Sequence, residues 1–438
     1  NPKNMGDLLT NIWLKIELPD WTTNEMYDWD YGRFVGRRII KNIKMIVDGL
    51  VLDEIDTEMM VIVDNLYKSV DQKLTLNSQL NLNRFDTFRH PFELDLDARK
   101  NLFIDLPFFF SQNYGGDAYE ENKQNKPPFP LCAIHKQKIH FEIEFHKPTY
   151  FIYTTLSTNR VLPSKLINNF KIVTEEITIS DVERLFYKTK PLKMTTEYMK
   201  KHSSRDVDVN TDQQFSVNLE PTIPVKMFHW FFRPKYFEIE GNYNRLLVDH
   251  RMFFKSADFY IHRQQINILK SAYFTLNGER FPRMTNIDVE YFKRVVPYTS
   301  KLSESGLSPT LQGTNNVGGE GQDQLTRSMM LTLGQNDIFS YNFALYPKST
   351  QPSGFLDFSQ LNSDKTQLHI ELNPATLNNT IVYVDLEYVS AYTPFYTHPG
   401  AAVQYIAEIF TMDDLTMYLY YTGFNVLQFE DGYISFIN

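Results

Sequence analysis

The stretch Asp337–Ser359, DIFSYNFALYPKSTQPSGFLDFS, decides the fold class of this chain. Its first part is aromatic and apolar, its middle is rich in proline, serine and glycine, and its last part alternates apolar and polar residues. Apolar runs on both sides of such a break are typical of two β-strands joined by a turn. We therefore predict strand, tight turn and strand here, with Gly354 at a positive φ angle.

Similar strand patterns recur along the chain. Residues 11–18 and 138–145 alternate apolar and polar side chains, which predicts two half-buried strands. Within 43–55, the pair Asp48 and Gly49 separates two apolar runs. Because both residue types tolerate positive φ, this pair predicts a hairpin.

Helix signals are few. Ser180 and Glu183 have the spacing of a capping box, and Pro191 limits the short helix that follows. Weaker helical periodicity over 57–70 and 401–410 predicts two more helices. Because strands predominate and do not alternate with helices, we predict an all-β fold of the sandwich or barrel type.

Composition sets the number of domains and excludes some partners. The chain has 438 residues, enough for two domains, with 42% hydrophobic and 22% charged residues, enough for packed cores. Its net charge of −9 argues against direct nucleic-acid binding, which needs clustered positive charge. No apolar run reaches the roughly 18–20 residues of a transmembrane helix.

Cysteine content and the first residue give two further expectations. Cys132 is the only cysteine, so no internal disulfide forms, as is typical of proteins from a reducing cytosol. We expect Cys132 to be a small buried hydrophobic residue. The chain begins with Asn1 and not Met, from which we expect an N-terminal piece to be missing.

Polar stretches suggest where the chain divides. Residues 112–130 and 303–324 are predicted surface loops. The polar stretch 200–214 lies near the middle of the chain and contains the predicted linker, 206–214. The predicted domains are therefore residues 1–205 and 215–438.

The two halves show signs of a tandem duplication. Asp48-Gly49 has a counterpart in Asn277-Gly278, and the alternating strand 140–145 has a counterpart in 367–372. A third pair is 106–110 and 343–347, each followed by a loop. The first two pairs are separated by nearly the same distance along the chain. Such agreement predicts two like folds of about eight strands each, the size of a jelly roll; chance is the alternative, because such strands and turns are common.

Several segments resemble, in the same order, those of the double jelly-roll major capsid proteins of nucleocytoplasmic large DNA viruses. The most specific is Gln351–Gly354, QPSG. The chain departs from the family pattern at Ile223, where the family has histidine. The other similar segments are 4–9 (NMGDLL), 36–43 (GRRIIKNI), 106–110 (LPFFF), 130–131 (PL) with 139–145 (IHFEIEF), 224–230 (PVKMFHW), 291–298 (YFKRVVPY) and 423–427 (GFNVL).

This resemblance implies two tandem eight-stranded antiparallel jelly rolls, 1–205 and 215–438, and a structural role. In such a family three copies form a homotrimer whose six jelly rolls approximate a hexagon, and these capsomers tile an icosahedral shell. The implied partners are other copies of the chain, neighbouring capsomers and minor capsid proteins. The implied location is the virion capsid, assembled in the host cytoplasm.

No catalytic, cofactor-binding or metal-binding residue is predicted, so we expect the protein not to be an enzyme. His140 and His146 share a strand face but lie about 20 Å apart at the rise of a strand, too far to share a metal ion. The Asn378 sequon matters only if the chain meets a glycosylation machinery. The alternatives are a minor capsid or scaffold protein of the same lineage, and a carbohydrate-binding β-sandwich or cupin-like protein.

Overall fold

The computed structural model describes residues 6–18, 35–68, 101–111, 126–147, 167–208, 211–234, 269–284, 287–300, 338–372 and 414–437. It also describes the backbone of six short strands at 29–31, 152–154, 307–310, 330–333, 381–384 and 407–410. The predicted loops at 112–130 and 303–324 therefore lie largely outside the described residues, as does Asn378.

The described part of the chain is mostly antiparallel β-sheet, as predicted. The strands, numbered β1 to β22 in chain order, are Leu8–Glu17, Trp29–Tyr31, Ile40–Val47, Leu50–Asp56, Asn101–Asp105, Phe129–Pro130, Ile139–Phe145, Ile152–Thr154, Asn169–Ile177, Leu192–Asp208, Gln214–Asn218, Val225–Pro234, Leu269–Leu276, Glu279–Phe281, Leu307–Thr310, Met330–Leu333, Phe339–Asn342, Gln367–Leu372, Ile381–Val384, Ala407–Phe410, Asp414–Glu430 and Tyr433–Phe436.

Helical segments are short. Helices α1 to α4 are Val35–Arg38, Thr57–Leu66, Asp181–Thr189 and Val296–Thr299. The chain also forms 3₁₀ turns at Leu131–Ile134, Phe358–Gln360 and Ser363–Lys365, and a π-helical turn at Tyr291–Val295. Helix α3 begins with the predicted capping box, in which Ser180 and Glu183 each bond to the other's backbone N–H. None of the helices among the described residues is long and apolar enough to cross a bilayer.

One kind of sheet occurs once in each half. Strand β1 lies between β5 and β9, and strand β12 lies between β17 and β21. Both central strands carry a bulge, at Thr10 in β1 and at Lys226 in β12. Beyond each ladder, one more N–H bonds to the central strand: Leu106 to the carbonyl of Ile12 at 3.0 Å, and Phe343 to that of Lys226 at 2.8 Å. The third predicted repeat pair therefore has equivalent positions in the fold.

The second kind of sheet repeats in register. Strand β3 pairs with β4 and β7, and strand β13 pairs with β14 and β18. Ile43 faces Ile143 in the first half, and Ala272 faces Ile370 in the second. The distance along the chain from Ile43 to Ala272 equals the distance between the two repeated turns. The distance from Ile143 to Ile370 equals that between the two alternating strands. The repeat found in the sequence is therefore a repeat of strand pairing.

The two repeated turns have the same backbone. Asp48 and Gly49 have φ angles of 45° and 87°, and Asn277 and Gly278 have 53° and 86°. Two consecutive positive φ angles define the hairpin turn that matches strand twist.

The core of the second half is aromatic. Trp230 is fully buried, and its ring lies 5.2 Å from Phe292 and 6.0 Å from Phe274, both edge to face. Such geometry sets the electron-rich face of one ring against the electropositive edge of the other. These rings hold β12 against the hairpin sheet that contains β13.

The QPSG segment differs in part from the prediction. Its first run is strand β17 and Gly354 has a φ of 143°, both as predicted. Its second run is not a strand: only Leu356 bridges to Val225, through two hydrogen bonds of 2.8 Å. The Asp357 side chain accepts the N–H of Ser359 at 3.0 Å, and this local bond turns the chain into a 3₁₀ turn.

Three other predictions need correction. Residues 407–410 form strand β20, paired with β19, and not the end of a helix; 401–406 lie outside the described residues. Residues 206–208 and 214 belong to strands β10 and β11, so the linker stretch is shorter than predicted. Cys132 is half-buried and not fully buried. The domain boundary and the count of eight strands in each half stay predictions.

Candidate assembly surfaces and the junction between the halves

Helix α2 of the first half packs against strands of the second through polar contacts. Tyr420 donates a hydrogen bond from Oη to Asp56 Oδ2 at 2.7 Å. Arg233 Nη2 lies 2.8 Å from Glu58 Oε1. Asp56 also caps the helix by accepting the N–H of Met59 at 2.7 Å. One carboxylate thus starts the helix and fixes it to the other half, although burial raises its pKa to about 6.

A buried chain of hydroxyl and imidazole groups continues this junction. Tyr67 Oη lies 3.0 Å from His229 Nε2 and 3.2 Å from Thr422 Oγ1. The other ring nitrogen of His229, Nδ1, lies 2.7 Å from Ser340 Oγ. Burial lowers the pKa of His229 to about 3, so the ring is neutral at physiological pH. Both ring nitrogens have partners inside the protein, which makes this histidine a structural element.

Four buried charges fix helices α1 and α2 to strand β5. Arg37 binds Asp64 at 2.7 Å and Asp105 at 2.6 Å. Lys68 binds the same two carboxylates, at 3.0 Å to Asp64. The two cations hold the pKa of Asp105 well below its usual range, against the opposing effect of burial. Two cations and two anions therefore compensate each other out of water.

A cleft of about 820 Å³ opens between the halves. Its walls come from β3, β4 and α2 on one side, and from Arg233, Tyr418 and Tyr420 on the other. Asp53 is one of its lining residues, and its carboxylate accepts the N–H groups of Phe109 and Glu54, both at 3.0 Å. Burial nevertheless raises the pKa of Asp53 to about 7, which leaves a half-protonated carboxyl at the junction near neutral pH.

The QPSG loop is fixed to strands β12 and β17. Ser353 Oγ accepts the N–H of Tyr346 at 2.8 Å, and Lys226 Nζ donates to the carbonyl of Ser349 at 2.8 Å. A Cβ on Gly354 would lie 3.0 Å from the carbonyl oxygen of Phe343. The loop needs glycine here for both space and φ, and the Ser353 hydroxyl group stabilises its turn.

Large apolar side chains face solvent in both halves. In the first half they are Phe170 and Ile172 on one side of β9, Val173 and Ile177 on its other side, and Val182, Leu185 and Phe186 of α3. The second-half face consists of Leu345, Tyr346 and Phe355 of the QPSG loop with Val295 and Tyr298 beside it.

Sequence reasoning missed these exposed apolar side chains. Val182, Leu185 and Phe186 have the i, i+3, i+4 spacing of a buried helix stripe, yet none of the residues of α3 is buried. That stripe was the available signal, but spacing alone does not show whether it faces a core or a partner.

The residues tested for chemistry do not converge. Among the described residues, no group of three or more histidine, cysteine or acidic side chains is placed to hold a metal ion. His146 Nε2 lies 3.2 Å from Thr57 Oγ1, and burial lowers its pKa to about 4. His140 lies on the exposed face of β7. These histidines therefore do not form a common site among the described residues.

The chain is similar to known viral capsid proteins in sequence and in fold. Residues 2–216 match the family described as the major capsid protein N-terminus. The PBCV-1 protein VP54, fitted into a reconstruction of the virophage Sputnik, is similar over 100% of this chain and 91% of its own, with 17% identity and a TM-score of 0.62. The Faustovirus major capsid protein is similar over 98% and 86%, with 10% identity and a TM-score of 0.56. No curated protein matches the chain.

The repeated sheets and these similarities define an all-β fold of the double jelly-roll type. Residues 2–216 match the family's N-terminal part, and the fold of the whole chain is similar to that of the major capsid proteins of this type. Its role is structural, in a viral capsid.

Proposed function

We propose that three copies of this chain form a pseudo-hexagonal capsomer, and that these capsomers tile an icosahedral shell. The observation that carries the proposal is the repeated sheet, in which Ile43–Ile143 and Ala272–Ile370 occupy equivalent pairs. Two like folds in one chain give a trimer six similar units. A closed three-fold ring then offers nearly equal edges to six neighbours.

The proposed partners are other copies of the chain, neighbouring capsomers and minor capsid proteins, and the proposed site of assembly is the host cytoplasm. We also propose that the chain catalyses no reaction. Its distinctive buried groups support this, because His229 has a partner at each ring nitrogen and Arg37 is paired with Asp64 and Asp105.

Mass measurement in solution, combined with imaging of single particles, tests the capsomer. We expect a species of three chains with a six-lobed outline. A chain that stays monomeric at high concentration, or a trimer with three lobes, contradicts the proposal. Copy number in purified particles separates a major from a minor shell component.

A further inference from the structure

Helix α3 presents one apolar ridge to solvent. Val182, Leu185 and Phe186 are 80%, 60% and 51% exposed, and their i, i+3, i+4 spacing places them on one side of the helix. These three side chains are called the α3 ridge below. Apolar side chains grouped on an exposed surface are typical of an interaction site.

The opposite side of the helix is fixed to the body of the protein. Arg184 Nε and Nη2 lie 2.6 and 2.9 Å from the Asp7 carboxylate, and Tyr187 packs against the buried core. The capping box of Ser180 and Glu183 holds the first turn. The helix is therefore fixed with its ridge pointing away from the described part of the chain, and a partner meets a surface that is already formed.

The charges beside the ridge repeat at a spacing of two helical turns. Asp181 and Lys188 lie seven residues apart on one flank of the ridge, and Glu183 and Lys190 lie seven residues apart on the other. On each flank the carboxylate is at the start of the helix and the lysine at its end. The Asp181 side chain is 94% exposed, and Lys188 forms no ion pair with any carboxylate that the structure describes.

This pattern of charges is complementary to itself. When two copies of α3 lie antiparallel with their ridges in contact, a two-fold axis places Asp181 of each copy beside Lys188 of the other. The same axis places Glu183 beside Lys190. Parallel helices would place like charges side by side, so the charges select the antiparallel orientation.

A lipid surface fits the ridge less well. Helices that lie on membranes carry lysine and arginine along the polar face. The first turn of α3 instead carries Asp181 and Glu183, which would face anionic head groups. The ridge suits a protein surface that offers the reverse order of charges, and the same helix of a second copy offers it.

The small size of the ridge indicates a weak contact. Its three side chains present on the order of 300 Å² of surface, well below the roughly 800 Å² that each partner buries in a standard interface. One such contact does not hold the chains of a capsomer together. A shell repeats it many times, however, and repeated weak contacts add up to a stable assembly.

We propose that α3 joins neighbouring capsomers by pairing with α3 of a second copy, antiparallel and across a two-fold axis. The proposal rests on the proposed trimeric capsomer and identifies a surface by which one capsomer binds another. Such an isologous contact uses the same surface on both partners. Each capsomer carries three copies of α3 and therefore makes this contact with three neighbours.

Disulfide cross-linking tests the pairing, in chains that carry Cys132→Ser to remove the native thiol. Leu185→Cys lies near the proposed axis, and we expect it to link two chains when concentrated capsomers are mildly oxidised. Two copies of Val182 lie about 10 Å apart along the antiparallel pair, too far for a disulfide. Val182→Cys should therefore link to Thr189→Cys in a mixture and not to itself. Met284→Cys, at a 60% exposed side chain outside α3, is the matched control and stays unlinked.

Charge reversal gives a sharper result. Lys188→Glu, added to Leu185→Cys, leaves only acidic side chains on that flank, and we expect about tenfold slower cross-linking. Asp181→Lys leaves only lysines there and should have the same effect. Both side chains are exposed, so the unfolding midpoint should stay that of the wild type. An equimolar mixture of the two variants restores opposite charges, and we expect links between unlike chains only.

The outcomes separate the two proposals. Trimers in which Leu185→Cys links no faster than Met284→Cys, or links only to a different protein, leave the capsomer standing and overturn the α3 contact. Val182→Cys that links to itself, or a charge-reversed mixture that stays unlinked, overturns the antiparallel pairing. A wild-type chain that never forms a trimer overturns the capsomer, and with it the role of α3 between capsomers.

Discussion

Asp53→Asn should change how the stability of the protein depends on pH. Asp53 is buried in the wall of the cleft between the halves, and burial raises its pKa from 3.8 to about 7. Between about pH 4 and pH 7 the folded state keeps a proton that the unfolded state releases. The free energy of unfolding therefore falls as the pH rises through this range.

The magnitude follows from that pKa. Each pH unit between the unfolded-state and folded-state pKa values changes the free energy of unfolding by about 1.4 kcal/mol. Because the pKa of Asp53 rises to about 7, the free energy of unfolding falls by about 4 kcal/mol between pH 4 and pH 8. Asparagine does not titrate, so the variant lacks this loss. We expect the wild-type free energy of unfolding, minus that of the variant, to fall by about 4 kcal/mol over the range.

Chemical unfolding followed by tryptophan fluorescence at pH 4, 6 and 8, at one protein concentration, measures this difference. His146 and His229, whose lowered pKa values act in the opposite direction, are present in both proteins and cancel. Asp48→Asn in the exposed β3–β4 turn controls for the substitution itself. A difference that stays constant, or rises with pH, would refute the assignment of Asp53 as a carboxyl that is protonated on burial.

Three further substitutions test other parts of the structure by the same unfolding measurement. Gly354→Ala should destabilise by about 1–3 kcal/mol, because the φ of 143° and the nearby carbonyl both oppose a Cβ; a neutral result would mean that the loop relaxes. Trp230→Ala should cost about 3–5 kcal/mol through the cavity it leaves among aromatic rings; a smaller cost would indicate that the core collapses around it. Asp105→Asn should cost about 3–5 kcal/mol by leaving two buried cations with one carboxylate, whereas Glu144→Gln, in an exposed pair, should not move the midpoint; equal effects would contradict the difference in burial.

Local chemistry made several elements predictable from sequence. The hairpins at Asp48-Gly49 and Asn277-Gly278 depend on which residues accept positive φ, and this is decided within the turn itself. The same holds for the capping box of α3, whose donors and acceptors lie within one helical turn. The repeat was also readable, because equivalent strands kept their alternation.

Features that depend on distant partners were not predictable. The last residues of strand β10 lie in a polar stretch, and 206–208 were predicted to belong to a linker, yet the strand pairs with β21 from Leu192–Phe429 to Asp208–Asp414. Pairing of this kind is set by a partner at the opposite end of the second half. The prediction of a strand after Gly354 was wrong for the opposite reason. There the Asp357 side chain accepts the N–H of Ser359, and this short-range hydrogen bond competes with strand formation.

The candidate surfaces could be found only in part. The helical spacing of α3 is that of an element that buries an apolar side, yet Val182, Leu185 and Phe186 are exposed in the folded chain. A hydrophobic pattern predicts that side chains are buried, but it does not show whether the same chain or another molecule buries them. Their solvent exposure in the folded chain shows that the chain itself leaves them uncovered.

Strand β21 has a consequence for synthesis. It pairs with β10 and β12, and its hairpin partner reaches the first half, where Ile434 N–H donates to Gln137 Oε1 at 2.7 Å. A nascent polypeptide that ends before Asp414 leaves the long edge of β10 bare and β12 without one neighbour. Completion of both halves thus waits until β21 and β22 have been synthesised, after every other strand that they join.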